Sequence, residues 1–340
     1  MIAAAATPHW LFELLGIPPL AEGATAETEG IPLELRRGIL RARSLVSAAQ
    51  SQTADSFGFK WGKRETFESE HMRRRTREWL VERYGSIEDA GWWSEYGRAP
   101  VVLDAGCGAA YSAVELLASR LHGIRYIGMD ISEAVDVAAQ RFAEHGLPGA
   151  FLQADLAEPP LANGSVDVIF SEGVLHHTDS TERALKRLTR LLRPGGRFLF
   201  YVYRRKGPIR EYTDDYVRDL LQGLEPEEAW KRLMPLTKLG KALGDLHVEV
   251  EVPEDVDLLE IPAGRIDVQR LFYWHVLKAY HRDEYDLNEL NHINYDWFAP
   301  RNAHRQSPED VRRWCSEAGL EIEREDVQEA GITVVGLKGR

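Results

Sequence analysis

One short stretch constrains this chain more than any other: Val101-Val-Leu-Asp-Ala-Gly-Cys-Gly-Ala-Ala-Tyr111. Val101, Val102 and Leu103 read as a buried strand, cut off by Asp104 and by a turn carrying Gly106 and Gly108. Residues 110–121 then have helical character. A strand that passes through glycines into a helix lets the backbone approach a ligand closely, because glycine has no Cβ. The strand–helix alternation continues. Residues 125–129, 150–153, 166–170 and 198–203 read as strands. Residues 132–144, with Ser132 as candidate N-cap, and 181–192, stopped by Pro194-Gly195-Gly196, read as helices. Such alternation predicts an α/β fold: a doubly wound, mostly parallel sheet with helices on both faces.

The 340 residues allow two domains, or one domain with a large insertion. Regular alternation stops after Tyr203, and 204–303 is too long for a connection inside a sheet. This segment is rich in aromatics and reads as an inserted cap. Within it, His247-Val-Glu-Val-Glu-Val252 alternates with period two and predicts a half-buried strand. Residues 308–318 predict a helix stopped by Gly319, and 320–327 with 332–337 a C-terminal antiparallel hairpin. Before the core, 64–84 reads as one charged helix ended by Gly85, within a helical N-terminal cover. The expected division is 1–97 cover or lid, 98–203 core, 204–303 substrate cap, and 304–340 the end of the core.

Composition narrows the partners. A formal net charge of -12 makes the chain a poor phosphate-tracking surface, so nucleic acid is not expected as a partner, and with no run of 18 apolar residues neither is a membrane. Arg73, Arg74, Arg75 and Arg77 share their segment with Glu65, Glu68 and Glu70, which is a mixed charged face. Two widely separated cysteines, Cys107 and Cys315, give neither a metal cluster nor a disulfide framework and suit a reducing cytoplasm. Residues 1–16 lack a basic region before their apolar stretch, so no signal peptide or anchor is expected. A homodimer is left open.

Two departures from a dinucleotide-binding loop define the ligand class. In such a loop, pyrophosphate sits at the helix N-terminus, and the third glycine of G-x-G-x-x-G would fall at Tyr111. That glycine is absent, and Asp104 stands just before the first. A carboxylate there repels pyrophosphate and suits a ligand carrying an ammonium and a sulfonium. Both departures point away from NAD and toward S-adenosylmethionine (SAM). On these residues the chain resembles the class I SAM-dependent methyltransferases of the UbiE-like small-molecule type. Asp104, Gly106 and Gly108 match the family's D-x-G-x-G-x-G, with Ala110 replacing the last glycine. The stretch Val166 to Thr178 and the Leu192-Arg-Pro-Gly-Gly196 turn also match family habits, so the resemblance covers about 98–203 and the terminal hairpin.

The resemblance implies a Rossmann-like, mostly parallel seven-stranded sheet. It implies SAM as cofactor, S-adenosylhomocysteine (SAH) as product, and a cofactor set including Gly106, Cys107, Gly108 and Ser171. It implies Asp130 on the ribose hydroxyls, where a carboxylate makes strong charge-assisted hydrogen bonds. It implies Asp155 near the adenine amino group, with Ile131 and Leu156 as apolar faces for the ring. In related enzymes an N-terminal aromatic segment closes over the cofactor. Phe57, Phe59 and Trp61 are the candidates here, either shielding the sulfonium or packing the N-terminal segment on the sheet.

Methyl transfer is an in-line displacement that needs alignment, exclusion of water and, for some acceptors, removal of a proton. His176 and His177 lie just beyond the fourth strand, either orienting or deprotonating the acceptor or positioning their own loop. Tyr203 falls at the carboxyl end of a central strand, where ligands bind in open α/β sheets. Beside it Arg204, Arg205, Lys206 and Arg210 form a basic patch, which either holds an acceptor anion or is a solvated turn. His292, Asn294, Tyr295 and Asp296, in a stretch dense in polar and aromatic groups, are the preferred acceptor-side residues. His292 and His304 lack a metal-ligand signature, and no metal is expected. The expected function is methyl transfer to oxygen or nitrogen of a small molecule, with carbon and sulfur open. The rivals are an RNA or protein methyltransferase and a non-catalytic SAM-binding module.

Overall fold

A computed structural model describes residues 7–42 and 46–339. The first six residues of the stretch read as lacking a leader lie outside the described residues. Twelve strands occur among the described residues: β1 (Thr25–Thr28), β2 (Ile31–Arg36), β3 (Ile39–Ala42), β4 (Val101–Ala105), β5 (Arg125–Asp130), β6 (Ala150–Gln153), β7 (Val166–Glu172), β8 (Leu192–Tyr203), β9 (Glu249–Val252), β10 (Gly264–Asp267), β11 (Leu320–Val327) and β12 (Gly331–Lys338). Ten of them form one sheet in the order β1-β2-β3-β6-β5-β4-β7-β8-β12-β11. The expected seven-stranded core is the run from β6 to β11. Its first five strands are parallel, and β12 and β11 close it antiparallel.

The sheet divides two apolar clusters by alternation. Leu103, Ile127, Ile169, Phe198 and Phe200 face one cluster, joined by the helices His9–Leu15, Thr181–Leu191 and Pro308–Glu317. Val102, Tyr126, Val168, Phe170, Leu199, Tyr201 and Tyr203 face the other, joined by the helices Glu70–Tyr84, Tyr111–Leu117 and Ala134–Glu144. On Thr181–Leu191 the buried Ala184, Leu185, Leu188 and Leu191 fall at helical spacing, and Ser180 caps the N-terminus by accepting from the Arg183 N–H. Beyond Tyr203 the second face is extended by the helices Pro208–Leu221, Pro226–Gly244, Val268–His275 and Leu287–Phe298. Leu221, Trp230, Leu233 and Phe298 bury themselves in that cluster. A separate β9–β10 hairpin lies in the same segment.

Three local expectations change. The N-terminal segment is not wholly helical, because β1–β3 form a meander that joins β6 in parallel. Its two-residue loops, Glu29-Gly30 and Arg37-Gly38, have positive φ at both positions, the geometry that matches strand twist in a hairpin. Glutamate and arginine replace the usual asparagine or aspartate there, which hides the signal. Residues 64–84 are not one helix: a short 3-10 turn, Arg64–Thr66, precedes Glu70–Tyr84, which starts where Ser69 accepts from the Met72 N–H. Finally, Pro194-Gly195-Gly196 lies inside β8, as a bulge against β7 in which Val166 pairs with Leu192 but Val168 with Arg197.

No helix among the described residues is long and apolar enough to cross a membrane.

Candidate active site

The carboxyl ends of the parallel strands open into a cavity of about 430 Å³. The glycine turn after β4 forms its floor. Gly106 and Gly108 have φ of +84° and +49°. A Cβ on Gly106 would lie 2.1 Å from Val174 Cγ1, and one on Gly108 would lie 2.5 Å from Trp61 Nε1. Only glycine fits either position. Ala110 holds φ +55°, so the alanine that replaces the motif's last glycine sits in the left-handed region.

Asp130 ends β5 and lines the cavity. Its Oδ2 accepts from the Gly108 N–H at 2.8 Å, and its Oδ1 from the Ser132 N–H and hydroxyl at 2.8 and 2.6 Å. Burial pushes its carboxyl above the usual range, against these hydrogen bonds. Asp155, after β6, lines the cavity and accepts from the Ala157 N–H at 2.8 Å, with burial again raising its carboxyl. Ile131 and Leu156 stand beside the two acids in the lining.

The helix Ala48–Gly62 closes one side. Its residues 50, 53, 57, 60 and 61 follow helical spacing and place Gln50, Thr53, Phe57, Lys60 and Trp61 in the lining. Trp61 meets Phe67 and His292 edge-on at 5.0 and 5.6 Å. On Leu287–Phe298, His292, Ile293, Asp296 and Trp297 face the cavity.

Between these walls stands His177. Its Nδ1 is 2.6 Å from the Asn302 carbonyl, which can only accept, so Nδ1 carries the proton. In the neutral ring Nε2 then presents a lone pair, and this buried atom has no partner among the described residues. Burial pushes the ring down to about 4, which keeps it neutral at pH 7. Next to it Tyr203 donates its hydroxyl to Asp296 Oδ2 at 2.9 Å, and Lys60 pairs with Asp296 Oδ1. Burial alone would raise Asp296, but the Lys60 ammonium, His177 and Lys278 hold it well below the usual carboxylate range. Glu172 also lines the cavity, locked by the buried Arg83 guanidinium and the Tyr84 hydroxyl.

Several expected site residues lie elsewhere. Alternation along β4 turns Asp104 away from the cavity to a buried position under Tyr126, whose hydroxyl donates to it at 2.6 Å. Burial there pushes its carboxyl up to about 7. Cys107 is buried behind the turn, its N–H donating to the Met129 carbonyl at 3.0 Å. Ser171 alternates off the cavity and donates to the Ala105 carbonyl at 2.8 Å. His176 is buried beneath the site, stacked on Tyr203 with centroids 3.6 Å apart. Phe59 lies off the cavity stripe of its helix, against Trp230 and Tyr295. Asn294 and Tyr295 face away from His292 and Asp296 by the 3.6-residue period. Asn294 bonds the Tyr280 N–H and Thr237, in the cap's own packing. Arg210 does line the cavity. Lys60 and Lys278 were missed: the first hid among the aromatics of its helix, and no sequence signal marks the second.

A family described as a methyltransferase domain matches residues 103–200. The chain carries a class I SAM-dependent methyltransferase domain. A malonyl-[acyl-carrier protein] O-methyltransferase from Serratia marcescens is 32% identical over 142 residues, 42% of this chain and 51% of that protein. A phthiotriol/phenolphthiotriol dimycocerosates methyltransferase from Mycobacterium leprae is 30% identical over 37% of this chain and 46% of its own length. The chain thus spans about half the length of the curated relatives it matches. A solved 1,6-didemethyltoxoflavin-N1-methyltransferase from Burkholderia thailandensis is 14% identical, with a TM-score of 0.42 over 94% of this chain and 100% of that one. The methyltransferase domain's cofactor is SAM. The site fits it: a glycine turn that has no room for a Cβ and brings the Gly106 backbone to the cavity, and two carboxylates with apolar neighbours at successive strand ends.

Proposed function

We propose that this chain is a SAM-dependent methyltransferase acting on oxygen or nitrogen of a small molecule held beneath the 204–303 segment. The observation that carries the reading is His177, a neutral imidazole with a fixed tautomer and an unpartnered Nε2 in the cavity that also holds Asp130 and Asp155. When bound, the cofactor supplies an electrophilic methyl on a sulfonium. Gly106 admits a ligand against the backbone, Asp130 accepts the ribose hydroxyls, and Asp155 with Ile131 and Leu156 holds the adenine. Phe57 and Trp61 exclude water from above. His177 Nε2 takes the proton from an O–H or N–H acceptor, and the Asn302 carbonyl steadies the imidazolium that forms. A base is of little use to a thioether, and this favours oxygen or nitrogen over sulfur. In this reading 1–97 is the lid, 98–203 with 304–340 the core, and 204–303 the substrate cap. Two buried free thiols, Cys107 and Cys315, are in keeping with a reducing cytoplasm.

The test is direct. SAH should raise the melting temperature of the native protein, and Asp130→Ala should remove most of the shift. At 100 times its Kd a ligand stabilises by about 2.7 kcal/mol. No shift in the native protein would sink the reading.

A further inference from the structure

The cavity's far wall gathers positive charge around one indole. Lys278 Nζ lies 4.7 Å from the Trp297 ring centroid, Arg210 Cζ 5.4 Å and Lys206 Nζ 5.9 Å. All three cations line the cavity and are at most 8% exposed. Arg210 pairs with Asp214 at 2.6 Å. Among the described residues Lys206 Nζ donates to the carbonyls of Glu329 and Ala330 alone. Lys278 Nζ donates to no protein acceptor among the described residues.

The carboxylates near the two lysines are bonded to other groups. Asp214 also accepts from the Trp297 indole N–H at 2.8 Å and the Lys278 main-chain N–H at 3.0 Å. Asp296 is held by Lys60 and Tyr203. Glu211 pairs with Arg305 and Glu329 with Arg204. A buried ammonium with no carboxylate bonded to it is incompletely compensated, and an incoming anion relieves it. Burial, with Arg210 beside each lysine, pushes both ammonium groups down to about 7.

We propose that Lys278 and Lys206, flanking Trp297 with Arg210 behind them, seat a carboxylate or phosphate group of a small aromatic acceptor. This rests on the reading of the cavity as an acceptor site. Trp297 packs on Tyr203 at 4.4 Å, and Tyr203 meets His177 at 5.4 Å. The anion therefore sits two aromatic side chains from the proposed base, with Tyr273, Trp274 and Tyr280 as neighbouring wall. An acceptor with its anion at one end and its reacting atom at the other spans that gap.

The experiment is calorimetric binding of benzoate and, separately, inorganic phosphate to the full chain saturated with SAH. At least one probe should bind at pH 6.5, and which one binds separates carboxylate from phosphate. Lys278→Met should weaken binding about tenfold, as expected for losing one charge-assisted contact. Lys278→Arg should restore it to within about threefold. Benzoate affinity should fall at least tenfold from pH 6 to pH 9. Over that range Lys278, facing Asp296, Asp214, Arg210 and Lys60, and Lys206, facing Arg210, Glu211, Glu329 and Lys278, lose their protons. SAH affinity, unchanged in the variants, reports that they are folded. If SAH binds and neither probe does, or if Lys278→Met and Lys206→Met both bind as wild type, the anion seat is overturned. If a probe binds in the lysine-dependent way but SAH does not, the seat stands and the methyltransferase reading fails.

Discussion

Replacing Lys60 by methionine keeps most of its side-chain volume and leaves Asp296 without the cation bonded to it. Lys60 is 6% and Asp296 26% exposed at the side chain, so one partner is buried and the other opens onto the cavity. Breaking a buried pair by removing one member costs about 3–5 kcal/mol. The opening of Asp296 toward the cavity places this pair at the lower end, about 3 kcal/mol. With about 2.1 cal/mol/K of unfolding entropy per residue, that is about 4 °C in Tm. The pH dependence has a definite sign. Asp296 is held below the usual carboxylate range, so its contribution is present above that range and is lost as pH falls through the folded value. Without Lys60 its carboxyl rises, becomes partly protonated at pH 5, and the penalty shrinks by about 1.4 kcal/mol for each unit of rise. Urea unfolding of wild type and Lys60→Met at pH 7.5 and pH 5 measures this. Lys60→Met/Asp296→Asn should recover most of the loss at pH 7.5. A loss under about 1 kcal/mol, an equal loss at both pH values, or a double variant as unstable as the single one would refute the argument.

Two other predictions concern the site. With His177 neutral down to about pH 4, kcat at saturating acceptor should hold level from pH 8 to pH 5 instead of falling near 6.5. His177→Gln should lower kcat by about 10²–10⁴ without changing SAH affinity. A wild-type kcat would return His177 to a packing role. Gly108→Ala forces a Cβ into the left-handed region and within 2.5 Å of Trp61 Nε1, so the Trp61 ring must move. Titration by tryptophan fluorescence should show SAH binding weakened at least tenfold. Retained affinity would mean that Trp61 is not part of the closed site.

Much of the core was legible because its signals are local. The turn at Gly106 and Gly108 follows from which residues tolerate positive φ. Asp130 and Asp155 reach one cavity because parallel strands all end on the same edge, so position along the chain becomes position in space. The same logic failed for Asp104 and Ser171. Each sits one step inside its strand, where alternation decides the face. The β1–β3 meander was missed although Ile31, Leu33 and Leu35 alternate, because Glu29-Gly30 and Arg37-Gly38 are weak versions of the hairpin turn.

By itself, then, the sequence determined the seven-stranded core of the sheet, its glycine turn and the acids at its strand ends. All of these depend on local conformational preference and on a topology that strand–helix alternation dictates. Only the tertiary structure decided which residues of Asn291-His-Ile-Asn-Tyr-Asp-Trp297 face the cavity. Helix rotation against Pro226–Gly244 turns Asn291, Asn294 and Tyr295 inward and His292, Asp296 and Trp297 to the cavity. It alone brought Lys60 to Asp296, 236 residues away, and Lys278 and Lys206 to one indole. Such pairings have no sequence period to betray them, since they arise from how separate layers dock and not from the conformation of either segment.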